Sequence, residues 1–378
     1  YVYDKNGNLV WSHVGTTPYS ESFGRSVSRI KDLNHDGYID FIVTDMEYLN
    51  NRGKVEVYSG KDGVQLWEVI GSNQNIGFGI NAVDVPDTNS DGYDDVLVGA
   101  YGFAPDTNQV NNQGSKGKMI LYSGKDGVKL WEVIGSNQYE KYGLSIDGIP
   151  DVNGDGLGDV IVGAKYEYVP QIPKYGKFFV YSGADGSLLW DKTSSLTLAT
   201  GSAYGEVVTG VPDVNGDGYG DVVVSDTGVS EVSDSDDFNP HGEVYAYSGN
   251  DGAFLWQHSV DNPVPSISKF GYTLHGISDV NGDGYGEVVV GDPYGCLSGS
   301  CLYYKGTGTL LSGLEGATIW SVESEEDCDK VPSLDHIWNQ GCNFGFSLGS
   351  TGDLDEDNKE DIIVGAQGYD GFDPDGAN

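Results

Sequence analysis

Aspartate-rich clusters are the residues of this sequence whose types and spacing could do chemistry. The pattern D-x-[DN]-x-D-[GN]-x-x-[DE] begins at six places: Asp32, Asp87, Asp151, Asp213, Asp279 and Asp353. Positions 1, 3, 5 and 9 carry side-chain oxygens, and the backbone carbonyl of position 7 adds another. A hard cation takes six to eight oxygen ligands at about 2.3–2.6 Å, so the pattern predicts a calcium-binding loop in each copy.

The predicted ligands are positions 1, 3, 5, 7 and 9, and we expect about six structural calcium ions. In the first three loops the ligands are Asp32, Asn34, Asp36, Tyr38, Asp40, Asp87, Asn89, Asp91, Tyr93, Asp95, Asp151, Asn153, Asp155, Leu157 and Asp159. In the last three they are Asp213, Asn215, Asp217, Tyr219, Asp221, Asp279, Asn281, Asp283, Tyr285, Glu287, Asp353, Asp355, Asp357, Lys359 and Asp361. We predict no catalytic residue and no other cofactor.

EF-hand loops and simple turns also concentrate aspartate, but neither fits the whole pattern. An EF-hand loop needs a bidentate glutamate at position 12 and flanking helices, whereas position 12 is valine in all six copies, from Val43 to Val364. A turn needs one or two such residues rather than four in register. Position 6 is Gly in five loops and Asn358 in the last, which fits a sharp turn with positive φ.

The elements that must position these loops recur with them. Successive loops are 55, 64, 62, 66 and 74 residues apart, which is the size of a propeller blade. Each copy has an aromatic-Gly strand before the loop, an apolar strand after it, a third strand such as G-K-V-E-V-Y-S-G, and a turn into a fourth strand. Alternating or wholly apolar runs bounded by Gly-rich turns predict an all-β chain.

Tryptophan marks the fourth strand in every copy, at Trp11, Trp67, Trp131, Trp190, Trp256 and Trp320. Asp353 reaches Trp11 in 36 residues if the count re-enters at residue 1, and the other loops reach their tryptophan in 35 to 44. This predicts a six-bladed β-propeller of four-stranded antiparallel blades, whose last blade is completed by the N-terminal strands so that no sheet edge stays open. The single domain, 1–378, would have blades at about 21–69, 76–133, 140–192, 202–258, 268–322, and 342–378 with 1–13.

The repeated strand motifs resemble a known family. The F-G pair stands at Phe23-Gly24, Phe78-Gly79, Phe270-Gly271 and Phe344-Gly345, Tyr replaces Phe in the other two copies, and a partial G-A-P element follows, as at Gly99-Ala100. With the aspartate loops, these motifs make essentially the whole chain similar to the FG-GAP repeat of integrin α-subunit heads. The resemblance implies a calcium-binding β-propeller.

Composition limits the possible partners. The formal net charge is −38, from 58 acidic and 20 basic residues, so nucleic acid and anionic lipid would both be repelled. The sequence has no apolar run of about 18 residues, and we expect no membrane insertion. Because the chain opens on Tyr1 rather than Met, we expect a processed, exported product that is extracellular, either secreted or at the cell surface.

Four cysteines, Cys296, Cys301, Cys328 and Cys342, fall in one quarter of the chain and match no zinc pattern. Three pairings are possible. We favour Cys296–Cys301 and Cys328–Cys342, because each closes a short loop. Four free thiols are the alternative.

Three functions stay open for such a chain. In a propeller of this topology, the loops of variable length lie on the face opposite the calcium loops, where a glycan or protein ligand could bind. The first function is therefore an adhesion or binding module of a cell surface or matrix. The second is the subunit of an extracellular filament, a homopolymer made by exchange of the N-terminal strands. The third is a polysaccharide-active lyase or glycosidase.

Overall fold

Repeated antiparallel sheets make up the computed structural model. It describes residues 1–4, 7–15, 22–72, 77–104, 115–138, 140–165, 176–194, 203–227, 242–260, 268–297, 304–324, 341–350, 353 and 357–366. Among these residues, no helix has both the length and the apolar character needed to cross a membrane.

The strands are numbered along the chain. The N-terminal hairpin consists of β1 (Val2–Tyr3) and β2 (Leu9–Trp11). The first sheet contains β3 (Phe23–Ile30), β4 (Asp40–Asp45), β5 (Lys54–Tyr58) and β6 (Gln65–Ile70), with the short turn α1 (Tyr48–Asn51) between β4 and β5. The second contains β7 (Phe78–Val85), β8 (Asp95–Ala100), β9 (Lys118–Tyr122) and β10 (Lys129–Ile134). The third contains β11 (Ile146–Ile149), β12 (Asp159–Ala164), β13 (Lys177–Tyr181) and β14 (Leu188–Thr193). The fourth contains β15 (Val208–Val211), β16 (Asp221–Asp226), β17 (Glu243–Ser248) and β18 (Phe254–Ser259). The fifth contains β19 (Thr273–Ile277), β20 (Glu287–Asp292), β21 (Tyr304–Ser312) and β22 (Thr318–Glu323), and β23 (Gly341–Ser350) and β24 (Ile362–Ala366) follow it.

Each complete sheet is one propeller blade whose strands pair in chain order, as in β3-β4-β5-β6. The second strand of a blade, for example β12 with the sequence D-V-I-V-G-A, is buried along its whole length. This agrees with the prediction that an all-apolar run lies between two neighbours and is covered on both faces. Apolar side chains of adjacent blades form shared core clusters, such as Ile42 and Val55 of the first blade with Phe78 and Val98 of the second.

Neighbouring blades also meet where the aromatic residue of an F-G pair reaches the third strand of the preceding blade. The backbone of Gly53 lies so close to Phe78 that a Cβ atom there would be 2.1 Å from the Phe78 carbonyl oxygen. The same approach occurs between Gly306 and Phe344, which are paired in parallel between β21 and β23. Only glycine permits this contact at positions 53 and 306. The junction between blades is therefore marked by that glycine together with the aromatic residue of the next F-G pair.

The last blade differs from the prediction. The described residues form five complete four-stranded blades, a strand pair joined to the fifth blade and a separate N-terminal strand pair, not six blades. β23 pairs with β24 and joins the fifth sheet through β21, whereas β1 and β2 pair only with each other. β1 contains two residues, while the third strands of the complete blades contain five to nine. So short a strand offers few ladder hydrogen bonds, and in the described structure none joins β24 to β1.

Candidate functional site

The aspartate loops lie between the first and second strands of each blade. Position 9 is the first residue of the second strand in five blades, as Asp40 is for β4 and Glu287 for β20. The strand therefore fixes the acid at the base of the loop, where its side chain is fully buried. Positions 1, 3 and 5 follow the end of the first strand and are more exposed. Each loop thus gathers oxygen atoms from an exposed turn beside a buried strand end.

The same hydrogen bonds shape every loop. The position 1 carboxylate accepts the backbone N–H of position 6 at 2.7–2.8 Å in all six copies, from Asp32 with Gly37 to Asp353 with Asn358. The position 5 carboxylate likewise accepts the N–H of position 7 at 2.8–3.1 Å. Position 6 has a positive φ in every loop, between 66° at Asn358 and 95° at Gly284, as predicted. Five separate sequences therefore fold into one loop conformation, and the described residues of the sixth loop share its hydrogen bonds and its positive φ.

The position 9 carboxylate holds the base of the loop. It accepts the N–H of position 2 at 2.7–3.0 Å in five blades, for example from Leu33 to Asp40. Burial, together with the nearby carboxylate charges of the same loop, raises the pKa of Asp95, Asp159, Asp221 and Glu287 to about 6. A buried carboxylate beside like charges favours a cation that would balance them.

The fifth loop provides the clearest test of whether the residues fit an ion. Carboxylate oxygens of Asp279, Asp283 and Glu287 all lie within 4.8 Å of one another. Two oxygens bound to one calcium ion at about 2.5 Å can be no more than about 5 Å apart, so the donors match calcium in type and spacing. In the sixth loop Asp353, Asp357, Lys359 and Asp361 are described, and Asp355 lies outside the described residues. The donor types fit calcium in every loop, and among the described residues the fifth loop also brings three carboxylates within this distance. Ligation itself stays a prediction for all six loops.

A contact that the sequence did not predict ties the loops of the first four blades to the tryptophan strand that precedes each of them. In the first four blades the position 9 carboxylate also accepts the N–H of a glycine that follows the third strand, such as Gly124 with Asp95 at 3.0 Å. The carbonyl of that glycine accepts the indole N–H of the preceding blade's tryptophan, such as Trp67 with Gly124 at 2.6 Å. The tryptophan ring covers a second glycine of the turn, Gly127. The signal available in the sequence was the recurrence of one tryptophan and one turn with two glycines in each repeat.

The opposite face carries a small aromatic cluster that we define as Lys269, Tyr272, Tyr294 and Phe346. The ring centroids of Tyr272 and Phe346 are 5.3 Å apart, and the Lys269 ammonium lies 5.8 and 5.4 Å from the centroids of Tyr272 and Tyr294. All four side chains are half-buried. Tyr272 and Phe346 stand two residues after the aromatic of their F-G pairs, a position that is Arg25, Ile80, Leu144 or Glu206 in other repeats. This position varies between repeats while its neighbours in the strand recur, and that variation could have indicated Tyr272 and Phe346.

Other parts of this face are only partly described. Tyr101 and Phe103 follow the second strand of the second blade, and the Lys118 ammonium lies 4.4 Å from the Phe103 ring centroid. The loops at 105–114, 166–175 and 228–241 lie outside the described residues. Cys296 is disulfide-bonded, but the side chains of the other three cysteines are not described, so the pairing stays a prediction.

Comparisons with known proteins agree with the repeat. The FG-GAP repeat family model matches residues 142–182, the third loop and its flanking strands. Integrin alpha-3 of Cricetulus griseus is 30% identical over 183 residues, covering 46% of this chain and 16% of that protein. Integrin alpha-5 of Xenopus laevis is 29% identical over 220 residues, covering 56% of this chain and 20% of that protein. The matched region thus spans about a fifth or less of the length of these relatives.

A solved structure gives a weaker likeness. The europium-containing methanol dehydrogenase has a TM-score of 0.45 and 12% identity, covering 75% of this chain and 49% of that one. A score this low supports no argument about fold or function. The repeats, the blades and the sequence similarities agree with one another: the chain is a β-propeller that resembles integrin α chains and contains an FG-GAP repeat at residues 142–182.

Proposed function

We propose that this chain is a calcium-stabilised β-propeller that acts outside the cell as a non-catalytic adhesion or binding module. One observation carries the proposal: the same acidic loop recurs from blade to blade, and in the first four its position 9 carboxylate reaches the turn that receives the preceding blade. Similarity to integrin α chains supports adhesion at a cell surface. Bound calcium would supply the positive charge that lets the buried carboxylates stay ionised together.

Calcium removal tests the structural role. Because the ion would bind only the folded loops, saturating calcium should raise the melting temperature well above that in excess chelator. Asp217→Asn in the fourth loop should remove part of this gain, since it deletes one carboxylate ligand. Asp251→Asn is the matched control, because Asp251 is also an exposed turn acid on the fourth blade but lies outside the loop. Equal melting temperatures with and without calcium would contradict the assignment.

We place the ligand site at the aromatic cluster, which lies in the described part of the face opposite the acidic loops. Half-buried tyrosine and phenylalanine rings beside an ammonium group suit a protein side chain or a sugar ring. We favour a protein ligand because the similar chains are integrins. Neutral and acidic glycans are the other outcome of the test.

Binding to immobilised extracellular-matrix proteins and to a glycan array would locate the site. The double substitution Tyr272→Ala with Tyr294→Ala should weaken binding at least tenfold. Phe254→Ala is the control, because Phe254 is a 55% exposed ring at the start of β18, outside the acidic loops and at the other face. An equal loss in the control, or none in the double variant, would move the site away from the cluster.

A second candidate, exchange of N-terminal strands between copies, is favoured by two uncovered apolar surfaces. Trp320 is 36% exposed, whereas Trp256 at the same place in the fourth blade is 6% exposed. Trp320 lines a groove with Ile319 and Ile362, between the fifth sheet and β24. On the hairpin, Leu9 is 53% exposed and a Cβ on the turn residue Gly7 would meet no atom within 4 Å. Within the described structure, the hairpin and the groove each lack the neighbour that their counterparts have.

The size of the full chain in solution tests this candidate. Pairing of the hairpin with β24 of the same chain predicts a monomer, and pairing between chains predicts a concentration-dependent ladder of oligomers. Leu9→Asp on the hairpin should then shift the ladder to monomer. Val128→Asp is the control, since Val128 is similarly exposed on the equivalent turn of the second blade. A monomer at all concentrations would remove exchange as a function.

A further inference from the structure

The N-terminal hairpin is held to the first blade through one turn. The indole nitrogen of Trp11 donates to the carbonyl of Gly60 at 2.9 Å, and Nε2 of His13 lies 2.7 Å from the carbonyl of Gly63. The His13 ring stacks on Tyr58 with centroids 4.5 Å apart. These contacts all converge on residues 58–63, the connection from β5 to β6.

The first calcium loop fixes that same turn. Gly60 donates its N–H to Asp40 at 3.0 Å, and the hydroxyl of Ser59 donates to Asp36 at 3.0 Å. Asp36 and Asp40 are positions 5 and 9 of the loop. Two of the proposed calcium ligands therefore hold the surface on which Trp11 sits.

The equivalent tryptophans of other blades have a second support. Trp131 lies in β10, which is hydrogen-bonded along its length to β9 within a complete sheet, and Trp131 also reaches Gly183 in the next blade. Trp11 lies in β2, whose only strand partner in the described structure is the two-residue β1. Loss of the turn contact would leave Trp131 in its sheet but would leave the hairpin with little to hold it.

We propose that calcium in the first loop is the latch that holds the N-terminal hairpin on the first blade. The inference rests on the proposed calcium function and adds a regulatory role to one site. Without the ion, the carboxylates of Asp32, Asp36 and Asp40 repel one another, and the loop relaxes. Relaxation moves the carboxylates of Asp36 and Asp40, which accept the Ser59 hydroxyl and the Gly60 N–H. The turn to which Trp11 is hydrogen-bonded is then held less firmly. The hairpin then detaches with its apolar residues exposed, which makes it available to another strand edge.

Hydrogen exchange of the full chain measures the latch directly. In calcium, backbone amides of residues 1–15 should exchange at least tenfold more slowly than in chelator, while amides of β12 and β16 stay protected in both. Asp40→Asn should give fast exchange of residues 1–15 even in calcium. Asp159→Asn is the matched control, because it makes the same change in the third loop, whose turn receives Trp131. It should leave residues 1–15 protected.

Trp11→Phe provides a second variant that leaves every loop carboxylate in place. It removes the indole N–H, and exchange of residues 1–15 in calcium should rise several-fold while the calcium-induced gain in melting temperature persists. If calcium raises the melting temperature but leaves exchange of residues 1–15 unchanged, the latch is overturned and the calcium function stands. Release by Asp159→Asn as strong as by Asp40→Asn also overturns it. If calcium changes neither quantity, the proposed function fails and the latch fails with it.

Discussion

The indole nitrogen of Trp67 and the carbonyl oxygen of Gly124 form a hydrogen bond of 2.6 Å across the boundary between the first and second blades. The N–H of the same glycine donates to Asp95 at 3.0 Å. One peptide segment thus connects the tryptophan of one blade to the acidic loop of the next. We therefore expect the stability of the second blade to depend on the first through this contact.

Trp67→Phe should therefore destabilise the protein by about 1–3 kcal/mol, because the Gly124 carbonyl loses its donor in a largely buried place. The free energy of unfolding from urea titrations in calcium measures this. Trp320→Phe is the control, since the described structure shows no hydrogen bond from the Trp320 indole. A loss as large at Trp320 as at Trp67 would show that ring size, not the N–H, is what matters.

Gly127→Ala should cost more than Gly7→Ala, although both glycines occupy turns that lead into a tryptophan strand. Their φ angles are +71° and +78°, so both substitutions introduce backbone strain of about 1 kcal/mol. A Cβ on Gly127 would lie 3.0 Å from the Trp67 ring, whereas one on Gly7 would meet nothing within 4 Å. We expect an added cost of about 1–3 kcal/mol for Gly127→Ala alone. Thermal unfolding compares the two, and equal losses would refute the packing contribution.

Gly92→Asn should be tolerated better than Gly92→Ala at position 6 of the second loop. Gly92 has a φ of +88° and open space around its Cβ position, so only the backbone conformation opposes a side chain. Asn358 adopts φ +66° at the equivalent position, and asparagine visits this region more easily than alanine. We expect Gly92→Ala to cost about 1–2 kcal/mol and to weaken calcium binding, with Gly92→Asn closer to the original protein. Calorimetric calcium titrations would rank the two, and the reverse order would contradict a conformational cause.

The stability of the calcium-loaded protein should fall as pH rises through about 7, because of Asp147 on β11. Burial, with a smaller contribution from the charge of Asp84, raises the pKa of Asp147 to about 7. Its carboxylate accepts hydrogen bonds from the Thr209 hydroxyl at 2.8 Å and the Gly210 N–H at 3.0 Å. The pKa in the folded chain exceeds the unfolded value of about 3.9, so the folded state binds the proton more tightly. This contribution is complete below about pH 4 and is lost as pH rises through about 7.

Asp147→Asn should flatten that pH dependence. At most one proton is involved, so the slope between about pH 5 and 8 should change by no more than about 1.4 kcal/mol per pH unit. Urea unfolding at several pH values in saturating calcium measures the slope. Asp251→Asn, which changes an exposed acid, should leave it unchanged. An identical slope for Asp147→Asn and the original protein would place the titrating group elsewhere.

Much of the fold follows from the sequence because one signal repeats. A single apolar run such as D-V-I-V-G-A fits a strand or a helix, but its recurrence behind each aspartate loop predicts the second strand, and Asp159 begins β12 as expected. The last blade was less predictable. The spacing from Asp353 to Trp11 describes positions along the chain, whereas pairing of β24 with β1 needs a ladder that two residues hardly supply.

The loops were predictable at the level of backbone shape, and the contacts between blades were not. A positive φ at Gly284 and Asn358 follows from residue type alone. The bond from Trp67 to Gly124 joins residues 57 positions apart, and their approach depends on how far one blade is rotated from the next. The aromatic cluster also required coordinates, because Tyr272 and Phe346 are 74 residues apart in the chain.

The close approach of Gly306 to Phe344, and of Gly53 to Phe78, also limits how such a chain can change length. Half of each junction belongs to one repeat and half to the next. Inserting or deleting part of a repeat would therefore misalign the junctions on both of its sides. Gain or loss of a whole repeat leaves each glycine opposite the aromatic residue of a following repeat, so the remaining junctions are preserved.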